Sequence, residues 1–217
     1  MVLFLLASLP LFFVMVVLLP WDGKHVPKTL GSVSTFLKGL ILFFPGYLVI
    51  LILRKIFGFS YDGFLYYLSL LLSDHLAPLV VALAGFLLLQ RSLRITGTDE
   101  SIFLAVFSFL CGFLSLVNLT DILRAWGSWG AYDLFLLPLM RIAAVLLLSL
   151  AAQRFFRWEG REAGQYLAVG AGLSVLLALA SFLFGIARLA GSIVIVVLAV
   201  LGGVLVFALR FPRAVRG

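Results

Sequence analysis

The stretch from Gly63 to Gln90 is apolar and long enough to cross a bilayer, yet it carries Asp74, His75 and Pro78 near its middle. Ionisable side chains at such positions can bind or exchange protons and cations. A second charge, Arg141, lies within another apolar stretch. Each charge at the centre of a membrane helix costs about 2.5 to 3.5 kcal/mol, so we expect Asp74 and Arg141 to face each other inside a helical bundle.

Helix geometry agrees with this pairing and adds two candidates. At about 1.5 Å per residue, Asp74 lies roughly 16 Å from the start of its stretch, and Arg141 lies at a similar depth in its own. A third apolar stretch places small and polar residues on one face: Ala105, Ser108, Gly112, Ser115 and Asn118. That face ends at Thr120 and Asp121. We therefore predict a polar pocket that binds a substrate or ion, formed by Asp74, Asn118, Asp121 and Arg141.

The Asp74–Arg141 pair and His75 each also have a purely structural interpretation. A buried Asp with one Arg is either a tie between helices or a site that binds or moves something. His75 adjoins Asp74, so the two point in different directions, and His75 is either a further pocket residue or a neutral histidine satisfied by one hydrogen bond. No second His follows at helical spacing, and we predict no metal site and no cofactor.

Prolines predict interruptions of the helices near these charges. Pro78 follows Asp74 by four residues, so the Asp74 carbonyl loses its helical donor. Pro45 with Gly46, and Pro138, predict breaks in two further stretches. Interrupted helices are typical of many transporters, although proline is also common in membrane helices without such a role.

Composition fixes the fold class as an all-α, polytopic membrane bundle. Of the 217 residues, 64% are hydrophobic and 12% charged, and the mean hydropathy is +1.24. A water-soluble core could not absorb this apolar surface, and backbone groups in hydrocarbon must be paired within helices. We predict one integral membrane domain over residues 1–217, with about seven spans at 2–20, 39–57, 63–90, 101–123, 131–152, 163–187 and 189–209. The segment 27–38 is either a surface helix or the first turns of the second span.

Basic residues indicate the orientation of this bundle. Of the 16 Lys and Arg, ten fall on one side of the predicted bilayer and four on the other. The excess places the carboxyl terminus in the cytoplasm and the amino terminus outside, which fits an integral protein of a bacterial inner membrane. The net charge of +7 forms no basic stripe, so we predict no nucleic-acid partner. The expected partners are the lipid bilayer and other membrane or energising subunits.

One predicted outer loop carries a short motif. Residues 126–133 read WGSWGAYD, which resembles the tryptophan-rich loop, broadly WGxxWxWD, of the haem-handling membrane proteins of cytochrome c assembly. The resemblance covers about eight residues, and Tyr132 stands where that family has a tryptophan. That family also uses outward-facing histidines as haem ligands. Here His75 lies within a span and His25 is predicted on the inner side.

The combined pattern predicts a transporter, or the membrane subunit of a transport system, with a polar site inside the membrane. The alternative is a non-catalytic scaffold that binds other membrane proteins. A haem-handling or lipid-modifying protein is less favoured, because the sequence holds no GxSxG-like nucleophile and no HExxH motif. We do not expect an enzyme.

Overall fold

A computed structural model of the chain describes residues 26–58, 63–93, 99–124, 137–156, 160–185 and most of 189–205. Every described residue except Gly58 is helical, as the apolar composition requires. The helices are α1 (Val26–Phe57), α2 (Gly63–Ser69), a π-helical segment (Leu70–Leu76), α3 (Ala77–Leu93), α4 (Asp99–Arg124), α5 (Leu137–Phe156) and α6 (Gly160–Gly185). The predicted all-α fold is confirmed over this part of the chain.

Four described helical stretches are long and apolar enough to cross a membrane. They are Val33–Phe57, Gly63–Leu89, Ile102–Arg124 and Gly164–Phe184, close to four of the seven predicted spans. Ala144–Phe155 in α5 and Leu189–Leu198 are shorter apolar helices at two other predicted spans. The predicted first span at 2–20 lies outside the described residues. An apolar protein with four candidate membrane helices is therefore established for the part that the structure describes.

The first helix is continuous where the sequence left two possibilities. α1 begins at Val26 and includes the segment 27–38, which therefore forms the first turns of the second predicted span. Pro45 lies inside α1 and does not end it. Pro138 is the second described residue of α5, and the segment before it, where a break would show, lies outside the described residues.

The centre of the bundle is α4. Of its membrane-length stretch 78% is buried, against 17% for that of α1, so α4 is surrounded by protein while most of α1 is not buried inside the bundle. The two helices cross closely through glycines: a Cβ at Gly39 would collide with the Phe109 carbonyl oxygen, and one at Gly112 with the Phe36 carbonyl oxygen. Close approach through small residues is how membrane helices gain packing contacts.

Candidate functional site

Asp121 binds two arginines, one on each oxygen of its carboxylate. Nη2 of Arg54 donates to Oδ1 at 2.7 Å, and Nη2 of Arg141 donates to Oδ2 at 2.6 Å. The three side chains are 9%, 8% and 4% exposed respectively. Two charge-assisted hydrogen bonds to one carboxylate offset much of the cost of burying these charges, and they fasten α1, α4 and α5 together.

Asp74 adds a second carboxylate at the edge of this arrangement. Its Oδ1 lies 3.3 Å from Nε of Arg54 and accepts a hydrogen bond from Ser73 Oγ at 3.2 Å. Within the described part of the chain, Oδ2 makes no ion pair or hydrogen bond, and the side chain is 35% exposed. We refer to Arg54, Asp74, Asp121 and Arg141 as the charge cluster. Asp74 is its accessible member, and Asp121 its enclosed one.

Arg141 makes two further contacts that hold it in place. Its Nη1 donates to Asn118 Oδ1, one turn before Asp121 on α4. Its Nη2 also donates to the backbone carbonyl of Asp74 at 3.4 Å. The four residues of the predicted polar pocket are therefore brought together, with Asn118 as an acceptor for the guanidinium.

The π-helical segment explains why a backbone carbonyl is available to Arg141. At its end the backbone N–H of Ala77 donates to the carbonyl of Leu72, five residues back. Pro78 has no N–H, so it cannot supply the α-helical hydrogen bond to the Asp74 carbonyl. The guanidinium of Arg141 donates to that oxygen instead. Single π-helical turns occur frequently at functional sites, and this one carries both Asp74 and His75.

His75 belongs to a different contact. Its Nε2 lies 2.8 Å from Ser181 Oγ on α6, and the imidazole is buried. Because Ser181 Oγ donates its proton to the Leu177 carbonyl at 3.1 Å, we assign the proton of this hydrogen bond to Nε2 of His75. His75 therefore ties the π-helical segment to α6, and its described side-chain hydrogen bond goes to Ser181 and not to the charge cluster.

The pairing of charges differs from the sequence prediction. Asp74 and Arg141 are neighbours, but the carboxylate on Arg141 is that of Asp121, and the guanidinium on Asp74 is that of Arg54. The cluster also lies towards one end of the bundle: Arg54 and Asp121 are in the last turns of α1 and α4, and Arg141 is in the second turn of α5. The depth predicted for Arg141 was counted from residue 131, which lies outside the described residues.

Sequence reasoning missed Arg54. The pair Arg54 and Lys55 at the end of an apolar stretch was assigned to a loop, which is the usual place for such a pair. The exposed side chain of Lys55 fits that assignment, but Arg54 turns inward. The available signal was charge balance: two acids within predicted spans, Asp74 and Asp121, require more than the one arginine that lies within a span.

Arg54 also has an unused donor. Among the described residues, its buried Nη1 has no hydrogen-bond partner. This N–H group and the free Oδ2 of Asp74 are carried by side chains that contact each other. The cluster thus offers both a donor and an acceptor to a small polar species.

Comparison with known protein families, curated proteins and solved structures found no match to this chain. The tryptophan-rich motif at 126–133 and His25 lie outside the described residues. Within the described ranges there is no group of three or more His, Cys, Asp or Glu placed to hold a metal ion.

Proposed function

We propose that this chain is a transporter, or the membrane subunit of a transport system, and that the charge cluster is its substrate-coupled or ion-coupled site. The observation that carries the proposal is the position of Asp74. Its carboxylate is partly exposed and has one free oxygen, while the rest of the cluster is buried. A purely structural tie gains nothing from leaving one acid open, whereas an exchange site requires it.

The cluster is formally neutral with both acids ionised, because two arginines balance two aspartates. Protonation of Asp74 leaves an excess positive charge and weakens the attraction between Asp74 and Nε of Arg54. Arg54 still has Asp121, so the cluster changes its contacts without coming apart. Occupancy at Asp74 can therefore alter how the π-helical segment packs against α1, which a coupled transporter needs.

The orientation of the bundle in the membrane decides which solution the charge cluster faces. Seven spans, an outer amino terminus, a cytoplasmic carboxyl terminus and a bacterial inner membrane follow from hydropathy and from the distribution of basic residues. Under that orientation the ends of α1 and α4 that carry the cluster face the outside. Asp74 would then exchange with the outer solution. The energy source would be an ion gradient or a separate energising subunit.

The alternative function is a scaffold for other membrane proteins, and the exposed face of α1 is the observation that favours it. Large apolar side chains line that face: Ile41, Phe44, Leu48 and Ile52. α6 also carries a row of small residues at helical spacing, but these residues are buried and cannot form such a surface: Gly170, Ser174, Ala178 and Ser181. A scaffold would purify with a partner whose removal exposes α1, and it would not depend on the free carboxylate of Asp74.

Reconstitution into liposomes tests the proposal. Flux would be measured with protons, Na⁺ and K⁺ as probes, using entrapped indicators, for the wild type and for Asp74→Asn, Asp74→Glu and Lys55→Gln. We expect Asp74→Asn to fold normally and lose flux, Asp74→Glu to retain part of it, and the exposed control Lys55→Gln to behave as wild type. If the double variant Asp74→Asn with Arg141→Leu gave a stable and active protein, the cluster would be a structural tie and the proposal would fail.

A further inference from the structure

Gln153 is a second buried polar group, and it is remote from the charge cluster. The side chain is 0% exposed, and both atoms of its amide lack a hydrogen-bond partner among the described residues. An amide buried without a partner costs several kcal/mol, so buried amides are nearly always satisfied by protein or by ordered water. Gln153 therefore points to a polar occupant beside it.

The register of α4 and α5 places a second such group at the same level. Arg141 contacts Asn118 and Asp121 near the start of α5 and the end of α4. Most described residues of α5 from Ile142 to Gln153 are buried, and α5 packs against α4 as well as α6, so α5 runs back along α4 in the antiparallel direction. Gln153 lies twelve residues after Arg141 on α5. Ser108 lies ten residues before Asn118 and thirteen before Asp121 on α4. At about 1.5 Å per residue, both are therefore about 18 Å from the cluster.

Ser108 shares the property that makes Gln153 unusual. It is 0% exposed, and its Oγ has no partner within the described ranges. The other described serines in this part of the bundle do not show this: Ser115 Oγ donates to the Cys111 carbonyl and Ser149 Oγ donates to the Val145 carbonyl, each at 2.7 Å. The two unpartnered groups lie at one level, on two adjacent helices.

Ser115, Cys111 and Ser149 occupy the levels between Gln153 and the cluster. Cys111 lies two turns from Asn118 on the same face of α4, the face that contacts α5. Ser115 and Ser149 use their protons within their own helices, which leaves the lone pairs of both hydroxyl oxygens as acceptors. Buried polar atoms therefore recur on α4 and α5 at successive levels from Gln153 to Arg141. We call Gln153, Ser108, Ser115 and Ser149 the polar seam.

We propose that the polar seam holds a chain of buried water molecules that conducts protons between the charge cluster and the opposite end of the bundle. Water satisfies a buried site when it finds two to four polar partners, which Gln153, Ser108 and the serine lone pairs provide. The inference rests on the proposed function, because it supplies the second half of a path whose open end is Asp74. The ion that moves along this path is the proton.

Radiolytic labelling tests the hydration of the seam without any transport assay. Brief X-ray exposure of the full chain in aerated lipid nanodiscs generates hydroxyl radicals from water within the protein as well as outside. Cys111 is the only cysteine, is buried, and lies beside the seam. A radical formed next to Cys111 abstracts the thiol hydrogen, and dissolved oxygen then converts the thiyl radical to a sulfinic or sulfonic acid, which mass spectrometry detects as the label. We expect this label at Cys111 in the wild type and several-fold less of it in Gln153→Leu, because an apolar side chain would displace the water.

The matched control is Gln165→Leu, the same substitution at an exposed position of α6, which should leave the labelling of Cys111 unchanged. Unlabelled Cys111 in the wild type would overturn the proposal. Equal labelling in the wild type and Gln153→Leu would do the same. Thermal unfolding of both variants is measured in parallel, and Ser108→Ala serves as a second seam variant if Gln153→Leu does not fold.

Proton flux in liposomes separates this inference from the function on which it rests. We expect Gln153→Leu to lose proton flux while Gln165→Leu keeps it. If Gln153→Leu loses the label but retains flux, the seam is hydrated and is not the path. If Asp74→Asn retains flux and the seam is still labelled, the proposed function fails and the hydration stands.

Discussion

The guanidinium of Arg141 lies against the carboxylate of Asp121, with Nη2 2.6 Å from Oδ2, and both side chains are less than one-tenth exposed. The same carboxylate holds Arg54 on its other oxygen. One acid thus determines where two arginines lie, and through them where the ends of three helices meet. Asp74 is the neighbouring acid that this arrangement leaves open. The two aspartates therefore differ in exposure and in the number of arginines that each contacts.

Replacing Arg141 should destabilise the protein strongly. Arg141→Leu leaves Asp121 with one cation and removes the hydrogen bond from Arg141 to Asn118 Oδ1, and removing one member of a buried ion pair typically costs about 3 to 5 kcal/mol. Denaturant unfolding in detergent micelles measures the loss. Arg161→Leu, at an exposed position of α6, is the control and should change stability by much less. Equal effects of the two substitutions would show that the Arg141 contacts contribute little.

The two acids should respond differently to neutralisation. Asp121→Asn removes the negative charge between two buried guanidinium groups, so they repel each other and stability falls. Asp74→Asn removes a partly exposed charge with one arginine contact, so the loss should be smaller. Unfolding of the two variants under the same conditions tests this order. A larger loss for Asp74→Asn would mean that Asp74, and not Asp121, organises the cluster.

Composition and hydropathy predicted the helical class and the approximate bounds of the described spans, because an apolar chain has few ways to satisfy its backbone in lipid. The same reasoning brought Asp74, Asn118, Asp121 and Arg141 into one pocket, since buried charges require partners. It did not predict the pairing. That depends on the π-helical segment and on the inward turn of Arg54, and neither leaves a periodic signal in the sequence.

Arg54 shows a second reason for the difference between prediction and structure. A basic residue at the end of an apolar helix is equally compatible with a loop position and with a side chain turned back into the bundle. Only the tertiary contact with Asp121 decides between them. For the same reason His75 could not be assigned to Ser181, which lies 106 residues further along the chain.

His75 and Ser181 should be energetically coupled. A buried hydrogen bond contributes about 0.5 to 1.5 kcal/mol, and Ser181→Ala removes the acceptor of the His75 Nε2–H group. A double-mutant cycle of His75→Ala and Ser181→Ala, measured by unfolding, should give a coupling of that size. Ser174→Ala is the control, because Ser174 Oγ donates to the Gly170 carbonyl in its own helix. Independent effects of His75→Ala and Ser181→Ala would contradict the contact.

The crossing of α1 and α4 should not tolerate a methyl group at Gly39. Gly39→Ala places Cβ against the Phe109 carbonyl oxygen, which cannot move without its helix, and overpacking of this kind costs about 1 to 3 kcal/mol. Gly172→Ala adds the same methyl group to α6, where nothing lies within 4 Å, and should be neutral or slightly stabilising. Midpoints of unfolding for the two variants provide the test. Similar midpoints would show that the helices do not cross this closely.

Pro78 should be dispensable for stability and required for flux. Pro78→Ala introduces an N–H that can donate to the Asp74 carbonyl, so the helix gains a bond and Arg141 loses one of its acceptors. We expect a midpoint of unfolding equal to or above that of the wild type, together with reduced proton flux in liposomes, because the π-helical segment would relax towards an α-helix. Pro45→Ala is the matched control: Pro45 lies inside α1, is exposed, and makes no contact with the cluster, so this variant should gain stability and keep its flux. A Pro78→Ala protein that unfolds more readily than the wild type would show that the proline supports the fold, and unchanged flux would show that the Arg141 contact to the Asp74 carbonyl plays no part in transport.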